Sequence, residues 1–256
     1  MSIADKLVTI AENEQRVYDA GYEKGKQEGG DTETAYSQGF DAGKQAEYDE
    51  FWDAFQPNKG AAQSYEYAFC GSRWNDITFK PKYDIVFALG YSGMNAFYGI
   101  GVTNFAETLE KQGVKMDTTL CGYWTSMFQN INTKRLPELN CSHAMDYNSN
   151  GLYNTFFNSK IETIDKMIVV EELKYTNTFK GCANLKNIIF EGVIGNNIDF
   201  QDSTLLTHDS LMNIIERLKD FSGTTTTRAL TLGSTNLAKL TDAEKAIATQ
   251  KGWTLS

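Results

Sequence analysis

One phrase recurs through the middle of this chain: a phenylalanine, followed by two apolar residues three apart. Phe69 leads to Trp74 and Ile77, Phe97 to Val102 and Phe105, Phe128 to Leu136 and Leu139, Phe157 to Ile161 and Ile164, and Phe179 to Leu185 and Ile188. The first members of the pairs stand at 74, 102, 136, 161 and 185, so the intervals are 28, 34, 25 and 24 residues. Recurrence on this scale marks a unit that cannot bury its apolar face alone and must stack on its neighbours. A third apolar residue completes the phrase at Phe79, Cys141 and Phe190, whereas Glu107 and Lys166 stand there in the other two copies.

The clearest copy is TFKGCANLKNIIF, Thr178 to Phe190, whose Leu185, Ile188 and Phe190 spell L-x-x-L-x-L. Side chains alternate across a strand, so the intervening residues point away from the core. Besides Pro137 and Ile189 they are Asn75, Asp76, Thr78, Glu138, Asn140, Glu162, Thr163, Asp165, Lys186 and Asn187. This polar, mildly acidic set is the candidate ligand-binding face, suited to carbohydrate or protein contacts. Tyr91, Tyr98, Tyr123, Trp124, Tyr147 and Tyr153 fall near the repeat turns and could add aromatic platforms. The 34-residue interval leaves room for a helix over 104–112, stopped by Gly113.

Phe-x-Gly-Cys-x-x-Leu-x-x-Ile resembles the leucine-rich repeats of bacterial surface antigens of the BspA-like family. AFCGSRWNDITFKPKYDIV, NLKNIIFEGVIGNNIDFQ and the tail from Leu206 are similar to the form encoded by tailed phages and prophages of gut Firmicutes. The resemblance implies an α+β repeat protein: an irregular leucine-rich-repeat solenoid over 64–205, with an N-terminal helical arm and a C-terminal α/β cap. It also implies a tail-associated or host-surface-binding role, and it supplies no active site.

The arm is expected over 1–56. Ile3, Leu7, Ile10 and Val17 share one helix face, and Tyr36, Phe40, Phe51 and Phe55 share another, with Gly29-Gly30 between them. AGYEKGKQ from Ala20 and QGFDAGKQ from Gln38 repeat at an offset of 18 residues, which is five helical turns, so both copies face one way. Glycines at intervals of four in each copy favour close helix approach. The two apolar stripes are the expected docking or oligomer surface, with a homotrimer favoured by analogy with phage fibres.

The cap is expected over 206–256. Thr207 can cap a helix carrying Leu211, Ile214, Ile215 and Leu218, and Thr224 to Leu232 reads as a strand. Thr241-Asp-Ala-Glu244 is a capping box, and Gly252 stops the helix that follows.

Catalytic chemistry finds little support. His143 with Asp146 could supply a base and its orienting carboxylate, but no nucleophile motif accompanies them. His208 belongs to a helix turn. Gly99-Ile-Gly101 lacks the third glycine and the ribose-binding acid of a dinucleotide site. No calcium loop or zinc spacing occurs, and no cofactor or metal is expected. Cys70, Cys121, Cys141 and Cys182 form no C-x-x-C pair and read as reduced core residues. A net charge of −9 with no basic stripe argues against nucleic acid. No apolar run approaches the roughly 20 residues of a membrane span, and Met1-Ser2-Ile3-Ala4-Asp5 does not open like a signal peptide.

The expectation for function is therefore a non-enzymatic virion protein, assembled in the bacterial cytoplasm and placed in a phage tail or baseplate. It would dock to other tail proteins through the arm and bind a host surface glycan or protein through the repeat face. The alternatives are a purely structural tail part, a bacterial surface adhesin and, distantly, a glycan depolymerase.

Overall fold

A five-residue unit, left-handed at both ends and centred on phenylalanine, organises the chain. In the computed structural model, which describes residues 65, 68–72, 74–87, 93–145 and 151–256, it occurs at 95–99, 126–130, 154–158 and 177–181. The leading Asn95, Ser126, Asn154 and Asn177 have φ between 53° and 56°. The trailing Gly99, Asn130, Asn158 and Gly181 have φ of 66°, 58°, 56° and 76°. Asparagine and glycine enter this region at the least cost, so the alternation turns the backbone while holding the central ring inward.

Each unit lies beside the next in sequence order. Amide groups of alternate residues donate to the following unit's carbonyls: Asn95, Phe97 and Gly99 to Thr125, Met127 and Gln129, then Ser126, Phe128 and Asn130 to Tyr153, Thr155 and Phe157. The central rings form a column. Phe69 stacks on Phe97 at 5.0 Å, Phe97 on Phe128 at 5.1 Å, Phe128 on Phe156 at 5.7 Å, Phe156 on Phe179 at 5.5 Å and Phe179 on Phe200 at 4.6 Å. All six rings are buried. Buried hydroxyls stitch the same units: Thr133, Thr155, Thr178 and Ser203 donate to the carbonyls of Val102, Trp124, Leu152 and Cys182. These four hydroxyls are thus matched where an unmatched one would cost about 1–3 kcal/mol each.

The elements are β1 (Ile85–Val86), α1 (Phe105–Gln112), β2 (Met116–Asp117), β3 (Arg135–Leu136), β4 (Leu139–Asn140), β5 (Thr163–Val169), β6 (Asn187–Gly192), β7 (Ile198–Asp199), α2 (His208–Arg217), β8 (Arg228–Thr231), α3 (Gly233–Leu237), α4 (Asp242–Gln250) and β9 (Trp253–Leu255). Among the described residues every strand pairing is parallel.

The expected leucine-rich-repeat solenoid is overturned. Among the described residues the strands form three separate sheets of two, four and three strands in an α+β arrangement, in place of one sheet running through every repeat. Most strands are only two residues long. Many backbone hydrogen bonds lie instead in left-handed turns and in α1, and Gly113 ends that helix at φ 67° as the spacing predicts. The expected arm, including its faces Ile3/Leu7/Ile10/Val17 and Tyr36/Phe40/Phe51/Phe55, lies outside the described residues.

Three details of the repeat reading also change. Phe156, not Phe157, enters the column, because the unit Asn154 to Asn158 is centred on it. Ile77 is 70 % exposed while Thr78 is buried, because Asn75 to Phe79 is a tight turn. Asn75 Oδ1 accepts from the Ile77 and Thr78 amides, and the Phe79 amide returns to the Asn75 carbonyl. The apolar residue missing at Lys166 is supplied by Met167: β5 bulges between Ile164 and Met167, which sets Met167 opposite Phe190.

At the C-terminal end α2 covers the edge of β6. Thr207 accepts from the Ser210 amide to cap the helix, and Thr241 and Glu244 form the capping box of α4. Strands β7, β8 and β9 share one sheet across residue 206. Gly192 joins the parts at φ 101°, where an added Cβ would lie 2.0 Å from the Val169 carbonyl oxygen.

Candidate functional site

The residues expected on the outer face do gather, along a row that crosses successive units. Backbone bonds define it: Gly101 donates to Trp74, Lys134 to Thr103, Glu162 to Lys134, Lys186 to Glu162 and Thr207 to Lys186. Along this row Asp76, Lys134, Glu162 and Lys186 alternate in sign. Burial acts to raise the Asp76 pKa, but the Thr103 hydroxyl and the Asn104 and Thr103 amides outweigh it and, with Lys134 nearby, hold the carboxyl below its usual range. The Lys186 ammonium, 2.7 Å away, lowers the Glu162 pKa, and Lys134 assists.

Beside the row, on β3 to β6, the pairing is denser. Arg135 donates to both oxygens of Asp165 at 2.8 and 2.7 Å, and it reaches Glu110 at 2.9 Å and Glu107 at 3.6 Å. The bidentate Asp165 bond, then Glu110, raises the guanidinium pKa. Lys166 lies between Glu138 at 3.0 Å and Glu191 at 3.2 Å, and those bonds raise its pKa. Asn187 donates to Thr163 at 3.4 Å and accepts from Thr207 at 3.3 Å. Asn140 accepts from the Ser142 amide and donates its own amide to Thr118.

Of the ten candidate residues, Glu138, Asn140, Glu162, Thr163, Asp165, Lys186 and Asn187 thus share the face. Asn75 and Asp76 sit at its N-terminal end, where they hold a turn and the entry to α1. Thr78 leaves the set because its side chain is buried and accepts from the Asn75 amide. Sequence reasoning missed Lys134, Arg135 and Glu191, which complete the charge pattern. Arg135 and Lys134 directly precede Leu136, outside L-x-x-L-x-L, so the alternation rule passes over them.

The aromatic platforms divide. Trp124 is buried and its indole donates to the Cys121 carbonyl, Tyr98 accepts from Asn130, and Tyr153 is 41 % exposed. Tyr91 and Tyr147 lie outside the described residues. His143 is exposed and its Nδ1 lies 3.2 Å from the hydroxyl of its neighbour Ser142, and Asp146 is outside the described residues. Cys121, Cys141 and Cys182 are buried free thiols; burial raises all three, Cys182 to about 11, so they stay protonated. Among the described residues no helix is long and apolar enough to cross a membrane, and no group of His, Cys, Asp and Glu is arranged for a metal ion.

A second feature lies on the turn side of the molecule: a cleft of about 420 Å³ between the 174–176 turn and β7, closed on its far side by β8.

The chain matches no family model, no curated protein and no solved structure.

Proposed function

We propose that this chain is a non-enzymatic binding protein of a tailed-phage virion, which meets a host surface glycan or protein through the row from Asn75 to Asn187. The observation that carries the reading is the row itself: amides, hydroxyls and charges of both signs held in fixed register over successive units. Its carboxylates are held in ion pairs or backbone caps, which suits recognition better than proton transfer. The phage assignment rests on the resemblance of Phe179-x-Gly-Cys182-x-x-Leu185 and the segments around it.

Binding of the labelled protein to a panel of gut Firmicutes cells tests this. Exchanging the partners of one pair, Glu162→Lys with Lys186→Glu, keeps the pair and inverts the face locally. The expected result is unchanged Tm with binding weakened roughly tenfold, the worth of a desolvated charge contact. Undiminished binding, or soluble fragments released from host cell walls and lost with one carboxylate, overturns the reading.

The mutual satisfaction of Arg135, Asp165, Lys166 and Lys186 favours a second reading, a purely structural tail or baseplate part. In both readings the segment 1–56 docks to tail proteins or trimerises through Ile3, Leu7, Ile10, Val17, Tyr36, Phe40, Phe51 and Phe55. Light scattering of the full chain beside one lacking 1–56 decides that point, since an oligomer that survives truncation places the interface elsewhere.

A further inference from the structure

Strand β6 turns Asn187, Ile189 and Glu191 outward and buries Ile188 and Phe190 between them. Asn187 and Glu191 suit water. Ile189 does not, yet it is 53 % exposed in the middle of the strand. Residues two apart on a strand share a face, so Asn187 and Glu191 flank it along β6. The β5 bulge sets Asp165 and Lys166 across from it, since Ile164 pairs with Ile188 and Met167 with Phe190. Exposed aliphatic residues are ordinary when scattered. This one stands at the centre of a polar ring.

The ring is occupied with itself. Asp165 accepts from Arg135 with both carboxylate oxygens. Lys166 bridges Glu138 and Glu191, and Lys186 holds Glu162. Asn187 donates its Nδ2 to Thr163, and its Oδ1 accepts from Thr207. A neutral sugar is held by groups that trade their water for its hydroxyls, and here those groups are bonded to one another. What the ring lacks is an apolar partner for Ile189. An apolar centre inside a polar rim that excludes water is the form in which protein–protein contacts concentrate their energy.

Charge narrows the partner further. The carboxylates joined in ion pairs on this face are Glu107, Glu110, Glu138, Glu162, Asp165 and Glu191, and the cations are Arg135, Lys166 and Lys186. Six carboxylates against three cations leave a net charge of −3. Asp76 and Lys134, farther along the row, cancel. The whole chain carries −9, so this face repels a second copy and any acidic polymer, and it attracts a basic surface.

We propose that this part of the row docks a protein of the host surface, one that presents an apolar side chain to Ile189 with Lys or Arg around it. The inference rests on the host-binding reading above and narrows its ligand from glycan or protein to protein.

The test is binding of the labelled full chain to three preparations of the same gut Firmicutes cells: untreated, shaved with trypsin and oxidised with periodate. Trypsin cleaves after the Lys and Arg that this face attracts, whereas periodate destroys sugar diols. The expected result is binding lost after trypsin and kept after periodate. Ile189→Ser is expected to weaken binding to untreated cells roughly tenfold, with unchanged Tm because the side chain already meets water. Raising NaCl from about 50 to about 300 mM is expected to weaken binding by the parent chain, since salt screens exposed charges. Four outcomes overturn the proposal: binding that survives trypsin, binding that periodate abolishes, binding indifferent to salt, or Ile189→Ser binding as well as the parent. In each of them the Glu162→Lys with Lys186→Glu exchange still reports on the host-binding reading, which stands if that exchange weakens binding. A parent chain that binds no untreated cells removes both.

Discussion

Two edges of this molecule end in different ways. The strand row ends at β6, whose Ile188 and Phe190 amides would face water or another chain. Helix α2 closes that edge with side chains: Ser210 Oγ accepts from Ile188 at 3.0 Å, and Asn213 Oδ1 accepts from Phe190 at 2.7 Å. Asn213 also returns its Nδ2 to the Phe190 carbonyl at 3.4 Å, so one amide side chain replaces a length of strand. The turn row ends at 175–181, and only Gly181 receives such a substitute, from Asp202. A covered edge resists pairing with other chains, whereas at 175–179 no side chain takes the place of the next unit's carbonyls among the described residues. The difference lies in what the next segment brings, since the two edges belong to the same stretch of chain.

The sharpest way to break the open edge is to remove its tie. Phe179→Ala deletes a buried ring that stacks on both Phe156 and Phe200, and it is expected to cost about 3–5 kcal/mol, read by urea unfolding. A cost near that of a surface change would mean that the column does not hold the units together.

Next in size is the junction between the two edges. Gly192→Ala combines a disfavoured left-handed φ with a clash against the Val169 carbonyl, for an expected loss of about 2–4 kcal/mol. Retained stability would show that the backbone can shift there freely.

The covered edge is tested by Asn213→Leu, which leaves the Phe190 amide without its acceptor. About 1–3 kcal/mol should be lost, and hydrogen exchange at Phe190 should rise toward the fast exchange expected at Asn177. Equal exchange at both positions in the parent protein would erase the comparison altogether.

A smaller effect concerns acid. Asp76 has a depressed folded pKa, so its stabilisation is complete above the unfolded value of roughly 3.9 and fades as pH falls through the lower folded value. Asp76→Asn should be less stable near neutrality and lose less stability on acidification below pH ~4. Parallel acid-unfolding curves would show that Asp76 does not titrate with folding.

The smallest effect is expected on the charged face. Arg135 and its carboxylates are well solvated, so Arg135→Met should change stability by about 1 kcal/mol or less, with the difference shrinking further in high salt. A larger, salt-insensitive loss would move the weight of the fold from the ring column to the face.

Much of this was written locally. The recurring phenylalanine, the buried Leu185, Ile188 and Phe190, the helix stopped by Gly113 and the caps at Thr207 and Thr241 follow from spacing and side-chain chemistry that act within a few residues. The unit [Asn/Ser]-x-Phe-x-[Gly/Asn] was equally present and more telling than L-x-x-L-x-L. It would have placed Phe156 in the column, because a left-handed pair four residues apart leaves one inward position between them.

What only tertiary structure decided depends on partners distant in sequence. The bulge that substitutes Met167 for Lys166 exists because β6 offers Phe190 opposite it. The exposed Ile77 follows from a turn closed by Asn75. The end of the turn row is the extreme case. Every residue carries the same main-chain groups, so no side-chain pattern could announce that the amides of Tyr175, Asn177 and Phe179 would make no hydrogen bond among the described residues. Composition and periodicity specify which residues are buried; the register between distant segments specifies which backbone groups remain free.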